Sequence, residues 1–252
     1  VVLAAGTITA LFTTLARFDR KTEAILNSQA EDLEQRVTQI NKDIRDAMLK
    51  LDFNIRILPE GQELGDFYAQ DYASHYMPAS YIEKLKSEDV STLEHIIPVL
   101  RRKVTWPETR WTVLFIGRGD KVANPVAASS SIPFEPVSKG CVDLGYEIHS
   151  SLDYHKGDTI TIMEREFTVH KCKEQEGTKN DIAIWFHLED LQELLDKKGM
   201  INEIQALESQ SAWSDIAKVR NEITQILPGT QVIEEASLAT AKKAARTHAI
   251  ET

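Results

Sequence analysis

Apolar residues recur at Leu26, Ala30, Leu33, Val37, Ile40, Ile44, Ala47 and Leu51 in alternating steps of four and three, with no Gly or Pro between them. Flanked by Glu34, Gln35, Arg36, Lys42, Asp43 and Arg45, so narrow a stripe predicts a long helix that pairs with another helix. The same stripe also suits an amphipathic helix lying on its own domain. From Ala16 to Leu51 such a helix would reach about 54 Å. After Leu51 the period becomes two: Phe53, Ile55 and Ile57 alternate with Asn54 and Arg56, and Pro59-Glu60-Gly61 closes a strand expected over 52–58. Tyr68, Tyr72 and Tyr76 follow at intervals of four and predict a short helical aromatic stripe, which is either a partner surface or half-buried packing. Pro78 then restarts a helix carrying Tyr81, Ile82 and Leu85. HIIPVLRRKVTW and TRWTVLFIG read as two strands joined at Pro107-Glu108, with Pro98 placing the first at a sheet edge.

Residues 117–140 have little periodicity, three Pro and a Ser run, and read as a long loop. From Cys141 the pattern gives a strand, a short helix, a hairpin, a polar loop, another strand and another short helix. In the hairpin Ile160 and Ile162 share one face, as do Phe167 and Val169 on the returning strand, with Glu164-Arg165 near the turn. INEIQALES is then a strand. SAWSDIAKVRNEITQIL is a helix with Trp213, Ile216, Val219, Ile223 and Ile226 inward; Pro228-Gly229 ends it before the strand TQVIEE. That strand, helix and strand match those of Phe53–Gly117, so the two halves are expected to share a sheet.

Charge changes this picture at the ends. The first sixteen residues, VVLAAGTITALFTTLA, carry no charge, and Arg17 is the first ionisable side chain. The run is shorter than the roughly 20 residues of a bilayer span and fits the outer part of one; a buried globular helix is the alternative. No basic n-region precedes it and no small-residue cleavage site follows, as a signal peptide would require. Over the whole chain of 252 residues, 29 Lys and Arg against 39 Asp and Glu give a net charge of −10, which excludes a phosphate-backbone binder. Residues 16–51 are themselves neutral, and Lys242, Lys243 and Arg246 make the last stretch basic, so the acidity lies in the body.

Candidate chemistry is sparse. No G-x-x-x-x-G-K-[ST], G-x-G-x-x-G, H-E-x-x-H or G-x-S-x-G sequence occurs, so no nucleotide hydrolysis, catalytic residue or cofactor is expected. Arg118-Gly119-Asp120 is a tripeptide too short to carry an adhesion reading. His170 and Cys172 stand i,i+2 on a strand and so share a face, with His187 or His155 as further donors, but such scattered groups are more often solvated side chains than a metal site. Cys141 and Cys172 are expected as free thiols, because pairing needs Cα atoms within about 7 Å.

The order LGYEI, KGDTITI, REFTV, a polar loop and IAIWFHLEDLQELL, with a helix leading in and the basic helix LATAKKAARTHAI leading out, resembles the MacB-like periplasmic core of FtsX-like ABC transporter permeases over essentially the whole chain. The resemblance implies an α+β fold: a two-lobed, mixed α/β porter-like domain with an inserted β-rich subdomain, between long N- and C-terminal stalk helices. The expected divisions are the end of a transmembrane helix and a stalk over 1–51, porter-like halves over 52–117 and 199–235, the insertion over 118–198 and the return stalk over 236–252. Implied too are an extracytoplasmic location at a bacterial inner membrane, an ABC ATPase subunit as partner, a second permease subunit as homo- or heterodimer, and a periplasmic adaptor or exported substrate. The work is then mechanical, coupling ATP hydrolysis on the separate subunit to substrate extrusion or partner activation. The expected pairing seam of the stalk is Leu33, Val37, Ile40 and Ile44 against Leu238, Ala241 and Ala245, and Tyr68, Tyr72 and Tyr76 are the candidate partner surface. The sequence departs from expectation at Met163-Glu164-Arg165-Glu166, a hairpin turn without Gly or Asn. A ligand-binding sensor ectodomain between two membrane helices is the alternative, and a soluble enzyme survives only if 1–16 pack inside the fold.

Overall fold

The computed structural model describes residues 29, 33, 35–39, 53–88, 90–123, 135–209 and 216–234. The chain divides into Leu51–Ala239 and a second unit made of Val1–Lys50 with Thr240–Thr252. In the second unit, residues 29, 33 and 35–39 are helical, as the four-three spacing predicts.

Twelve strands are described in the larger unit: β1 (Ile55–Pro59), β2 (Met77–Pro78), β3 (Leu93–Trp106), β4 (Trp111–Arg118), β5 (Val122–Ala123), β6 (Cys141–Leu144), β7 (Thr159–Ile162), β8 (Arg165–Cys172), β9 (Ala183–His187), β10 (Met200–Ile201), β11 (Glu203–Glu208) and β12 (Thr230–Glu234). The helices are α1 (Leu64–Gln70), α2 (Tyr81–Ser87), α3 (Tyr146–Leu152), α4 (Leu188–Leu194) and α5 (Ile216–Ile226), with a 3-10 turn at Lys179–Ile182. One sheet runs β12-β1-β11-β3-β4-β9-β6-β8-β7, with β5 beside β3; β2 and β10 form a separate pair. The fold is α+β, as expected. Strands from 53–117 and 201–234 interleave, since β1 lies between β11 and β12 and β11 pairs β3.

Segment 118–198 does not break from this sheet. Its strands β9, β6, β8 and β7 extend it, joined through the parallel pair β4 and β9, where Leu114 faces Ala183 and Arg118 faces His187. This half curls on itself. Trp106, Val113 and Phe115 of the β3–β4 hairpin enter one core with Ile160, Ile162, Phe167 and Phe186. The Phe186 ring lies edge-on to Phe115 at 5.0 Å and to Phe167 at 5.4 Å. At the open side of the curl, Trp106 Nε1 donates to the Thr161 carbonyl at 3.3 Å and the Glu164 amide donates to Glu108 Oε1 at 3.0 Å, so the β7–β8 turn meets the tip of the β3–β4 hairpin.

In the other half, Ile55, Ile57, Ile204, Ala206 and Val232 meet Val219, Ile223 and Leu227 at α5 and Ile82 and Leu85 of α2. Leu58 and Ile233, on the opposite face of alternating strands, are covered by Phe67 of α1 and by Ala73. Helices therefore lie on both faces here.

Pro98 sits in a strand flanked on both sides, so the sequence expectation of an edge strand is corrected. β3 pairs β11 on one side and, on the other, β5 through His95 and Ile96 and then β4 from Val99 onward. The Pro98 carbonyl accepts from the Gly119 amide at 3.0 Å. Because N and O of one strand residue point the same way, the missing N–H faces the gap where β5 gives way to β4, and no ladder bond is lost. Gly119 is buried there, and a Cβ on it would come 2.6 Å from Pro98 Cγ. The Arg-Gly-Asp triplet is thus a packing joint.

Candidate functional site

The chain enters and leaves the larger unit at the same place. β1 and β12 are antiparallel with Ile55 opposite Glu234, Ile57 opposite Val232 and Pro59 opposite Thr230. The first residue of β1 and the last residue of β12 are thus direct neighbours, about 5 Å apart.

On its other edge β1 meets β11, and there a buried polar row ties the strands together. Glu203 is wholly buried on β11; its Oε1 takes hydrogen bonds from Arg56 Nη1 at 3.0 Å and Gln205 Nε2 at 2.8 Å, and Arg101 Nε stands 3.9 Å from Oε2. Burial pushes the Glu203 carboxyl up, but Arg56, then Arg101, the Gln205 hydrogen bond and Arg118 outweigh it and hold the group below the ordinary glutamate range. Next to it Asn202, also fully buried, stands where β11 stops short of the rest of β3. Its Oδ1 accepts from the Arg101 amide at 2.9 Å, and Nδ2 donates to the Arg101 and Ala73 carbonyls, each at 2.7 Å. The side-chain amide continues the ladder that the backbone has left. At the other end of β11, beside Ile55, Asn54 Nδ2 donates to Glu208 Oε2 at 3.0 Å and Asn54 Oδ1 accepts from the Glu208 amide at 2.9 Å. The alternation of INEIQALES marks the strand but gives no sign that both of its faces are covered, so Asn202 and Glu203 were not singled out from sequence.

Of the expected stalk seam, Leu33 and Val37 are described. They are helical, one turn apart, and 63% and 49% exposed. Ile40, Ile44, Leu238, Ala241 and Ala245 lie outside the described residues, as do 1–16 and Trp213. Among the described residues no helix is long and apolar enough to cross a membrane.

The tyrosines do not form one helical stripe. α1 ends at Gln70 because Asp71 turns left-handed, φ 68°, with its amide donating to the Phe67 carbonyl. Tyr72 and Tyr76 therefore lie beyond the helix and are half-buried. Tyr76 is held inside the fold: Arg102 Nη1 donates to its hydroxyl at 3.2 Å, and Lys197 Nζ lies 5.2 Å from its ring centre. Tyr68 alone of the three stands well out, at 56% exposure, and Leu64, which the sequence reading passed over, stands out beside it one turn earlier.

The conceivable metal pair is separated by a bulge. β8 carries an extra residue between Val169, opposite Val142, and Lys171, opposite Asp143. That residue, His170, turns to the Asp143 side, Nδ1 to Oδ1 2.9 Å, while Cys172, opposite Leu144, packs against the core. The two do not share a face. Burial, followed by Asp158 and Asp143, pushes the Cys172 thiol up, which disfavours the thiolate a metal would need. Among the described residues no three His, Cys, Asp or Glu side chains are grouped to hold a metal ion. Cys141 and Cys172 are free thiols. Register explains this: Cys172 faces Leu144, three positions after Cys141, which puts the two roughly 10 Å apart along the strands.

No family model matches the chain, and no curated protein does. Among solved structures, it is similar to the periplasmic region of MacB from Actinobacillus actinomycetemcomitans, at 13% identity and a TM-score of 0.49 over 77% of this chain and 92% of that one. It is also similar to the extracellular domain of the noncanonic ABC-type transporter YknZ from Gram-positive bacteria, at 10% identity and a TM-score of 0.48 over 71% of this chain and 99% of that one.

Proposed function

We propose that this chain is the extracytoplasmic domain of an ABC transporter permease, a non-enzymatic body that converts motion of two stalks into substrate extrusion or partner activation. The observation that carries the reading is the pairing of Ile55 with Glu234: a domain inserted between two membrane helices is suited to receive and return the chain at one point, and here that point is a pair of strands, the first of which is also tied to β11 by buried polar groups. Three features support it. Leu33 and Val37 present an apolar edge on the incoming helix, suited to a second subunit or to the return stalk. The two halves of the sequence interleave in one sheet, so displacement at the joint is passed to the whole body. The order of elements from LGYEI to LQELL, in which the resemblance to FtsX-like permeases resides, is realised strand by strand. ATP is hydrolysed in this reading by a cytoplasmic subunit, and the domain faces the outside of the inner membrane.

The test is made on the full-length protein in membrane vesicles. A cysteine at the exposed Glu60 is expected to react with an impermeant maleimide from the outer side only, and an ABC ATPase is expected to copurify whose activity falls when Val37→Asp is introduced. Copurification with a kinase or methyl-accepting protein, and no ATPase, would establish the sensor reading in its place.

A further inference from the structure

We propose that the outer face of α1 is a docking site for a basic, apolar-faced segment of another protein. The inference stands on α1 and is independent of the transporter reading. α1 buries only Phe67, yet it carries Leu64 and Tyr68 one turn apart, 36% and 56% exposed. Two large apolar side chains at i,i+4 are what a helix presents to a partner. Tyr68 is also pre-ordered, its ring edge-on to the anchored Phe67 ring at 5.5 Å, so little side-chain freedom is lost when it is covered.

Charge selects the occupant. Glu60, Glu63 and Asp66 are exposed around this pair, and the stretch 57–83 contains Glu60, Glu63, Asp66, Asp71 and Glu83 with no Lys or Arg. Asp71 is paired with Lys179 and Glu83, on α2, with Lys86; Glu60, Glu63 and Asp66 form a negative rim. A second copy would bring the same rim against itself, and an anionic lipid surface would be repelled, whereas a segment with Lys or Arg flanking apolar residues matches both the rim and the centre.

The experiment places a photo-reactive benzophenone residue at position 68 of the full-length protein in its native membrane, with the exposed Glu166 position on β8 as control, and sequences the cross-linked peptides. The expected product is one segment of another protein, positively charged and apolar on one side, whose yield falls about tenfold with Glu63→Lys plus Asp66→Lys. A labelled synthetic copy of that segment is expected to bind Leu64→Ala at least tenfold more weakly than the parent. Both reversed positions are exposed, so an unchanged thermal melt verifies that the variant is folded. Cross-links to a second copy or to lipid, none above the Glu166 control, or a yield indifferent to charge reversal would each overturn the proposal.

Discussion

Asn202 does with a side chain what a strand does with its backbone, and three hydrogen bonds depend on it. Asn202→Ala leaves the Arg101 amide and two carbonyls without those partners in a buried place, and is expected to cost about 2–4 kcal/mol, read as a lower urea midpoint at an unchanged slope. Glu203 has a separate signature in pH. Its folded-state pKa is depressed, so the unfolded chain binds the proton more readily. The stabilisation is complete above the ordinary glutamate range and is lost as pH falls below about 4 and through the lower folded value. Glu203→Gln is therefore expected to flatten the acid limb of stability against pH, and to lower stability at pH 7 by about 3–5 kcal/mol because buried guanidinium groups lose their counter-charge. Neither residue was legible in the sequence. Asn, Glu and Arg in an alternating strand read as the solvent side, and only α1 and its connections, which cover that side, make them interior groups.

At the scale of elements, the pattern was legible where one face is wet and one dry. The hairpin of β7 and β8 follows its period of two, with Ile160, Ile162, Phe167 and Val169 all buried. Its turn is unusual in residue type and ordinary in shape: Met163 and Glu164 both have positive φ, 49° and 65°, the two-residue turn that suits a twisted hairpin and favours Gly or Asn. Met163 packs on the core, so Glu164 is the residue to change. Glu164→Gly is expected to raise stability by about 0.5–1 kcal/mol, measured as an upward shift of the melting temperature. Gly117 marks the opposite limit. A Cβ there would stand 2.9 Å from Leu191 Cβ and 3.3 Å from the Leu188 backbone, so Gly117→Ala is expected to lift α4 from β4 at about 1–3 kcal/mol, seen as faster amide exchange in 188–194. Periodicity failed at the tyrosines, where a spacing of four persists across a helix end set by the backbone of Asp71, and at Pro98, whose tolerance depends on a change of strand partner that no local pattern records.

For the whole molecule, the sequence order anticipated the α+β body and the interleaving of its halves, because each strand and helix carries its own period. It did not anticipate that the segment 118–198 prolongs the same sheet, since the pairing of β4 with β9 is a contact between segments some 70 residues apart in sequence. The body and the apolar edge at Leu33 and Val37 should separate under mutation. On the permease reading proposed above, Val37→Asp is expected to leave the thermal melt of the body within about 0.5 kcal/mol of the parent while transport by the full complex is lost. Wild-type transport by a mutant that reaches the membrane would remove this edge from the mechanism.

The joint at Ile55 and Glu234 also fixes an order of events during synthesis. Of the described strands β1 is made first, and its two neighbours, β11 and β12, are made last; the bonds between Asn54 and Glu208 close a separation of 154 residues. Such pairing is slow to form and leaves β1 with both edges unpaired until β11 has been made, a stretch of IRILP that invites wrong partners. The charged Arg56 within it then serves the nascent chain before it serves the native one, by keeping that strand soluble until Glu203 arrives to bury it. Chains stopped before residue 203 should accordingly aggregate or be degraded, and chains stopped just after Glu234 should fold.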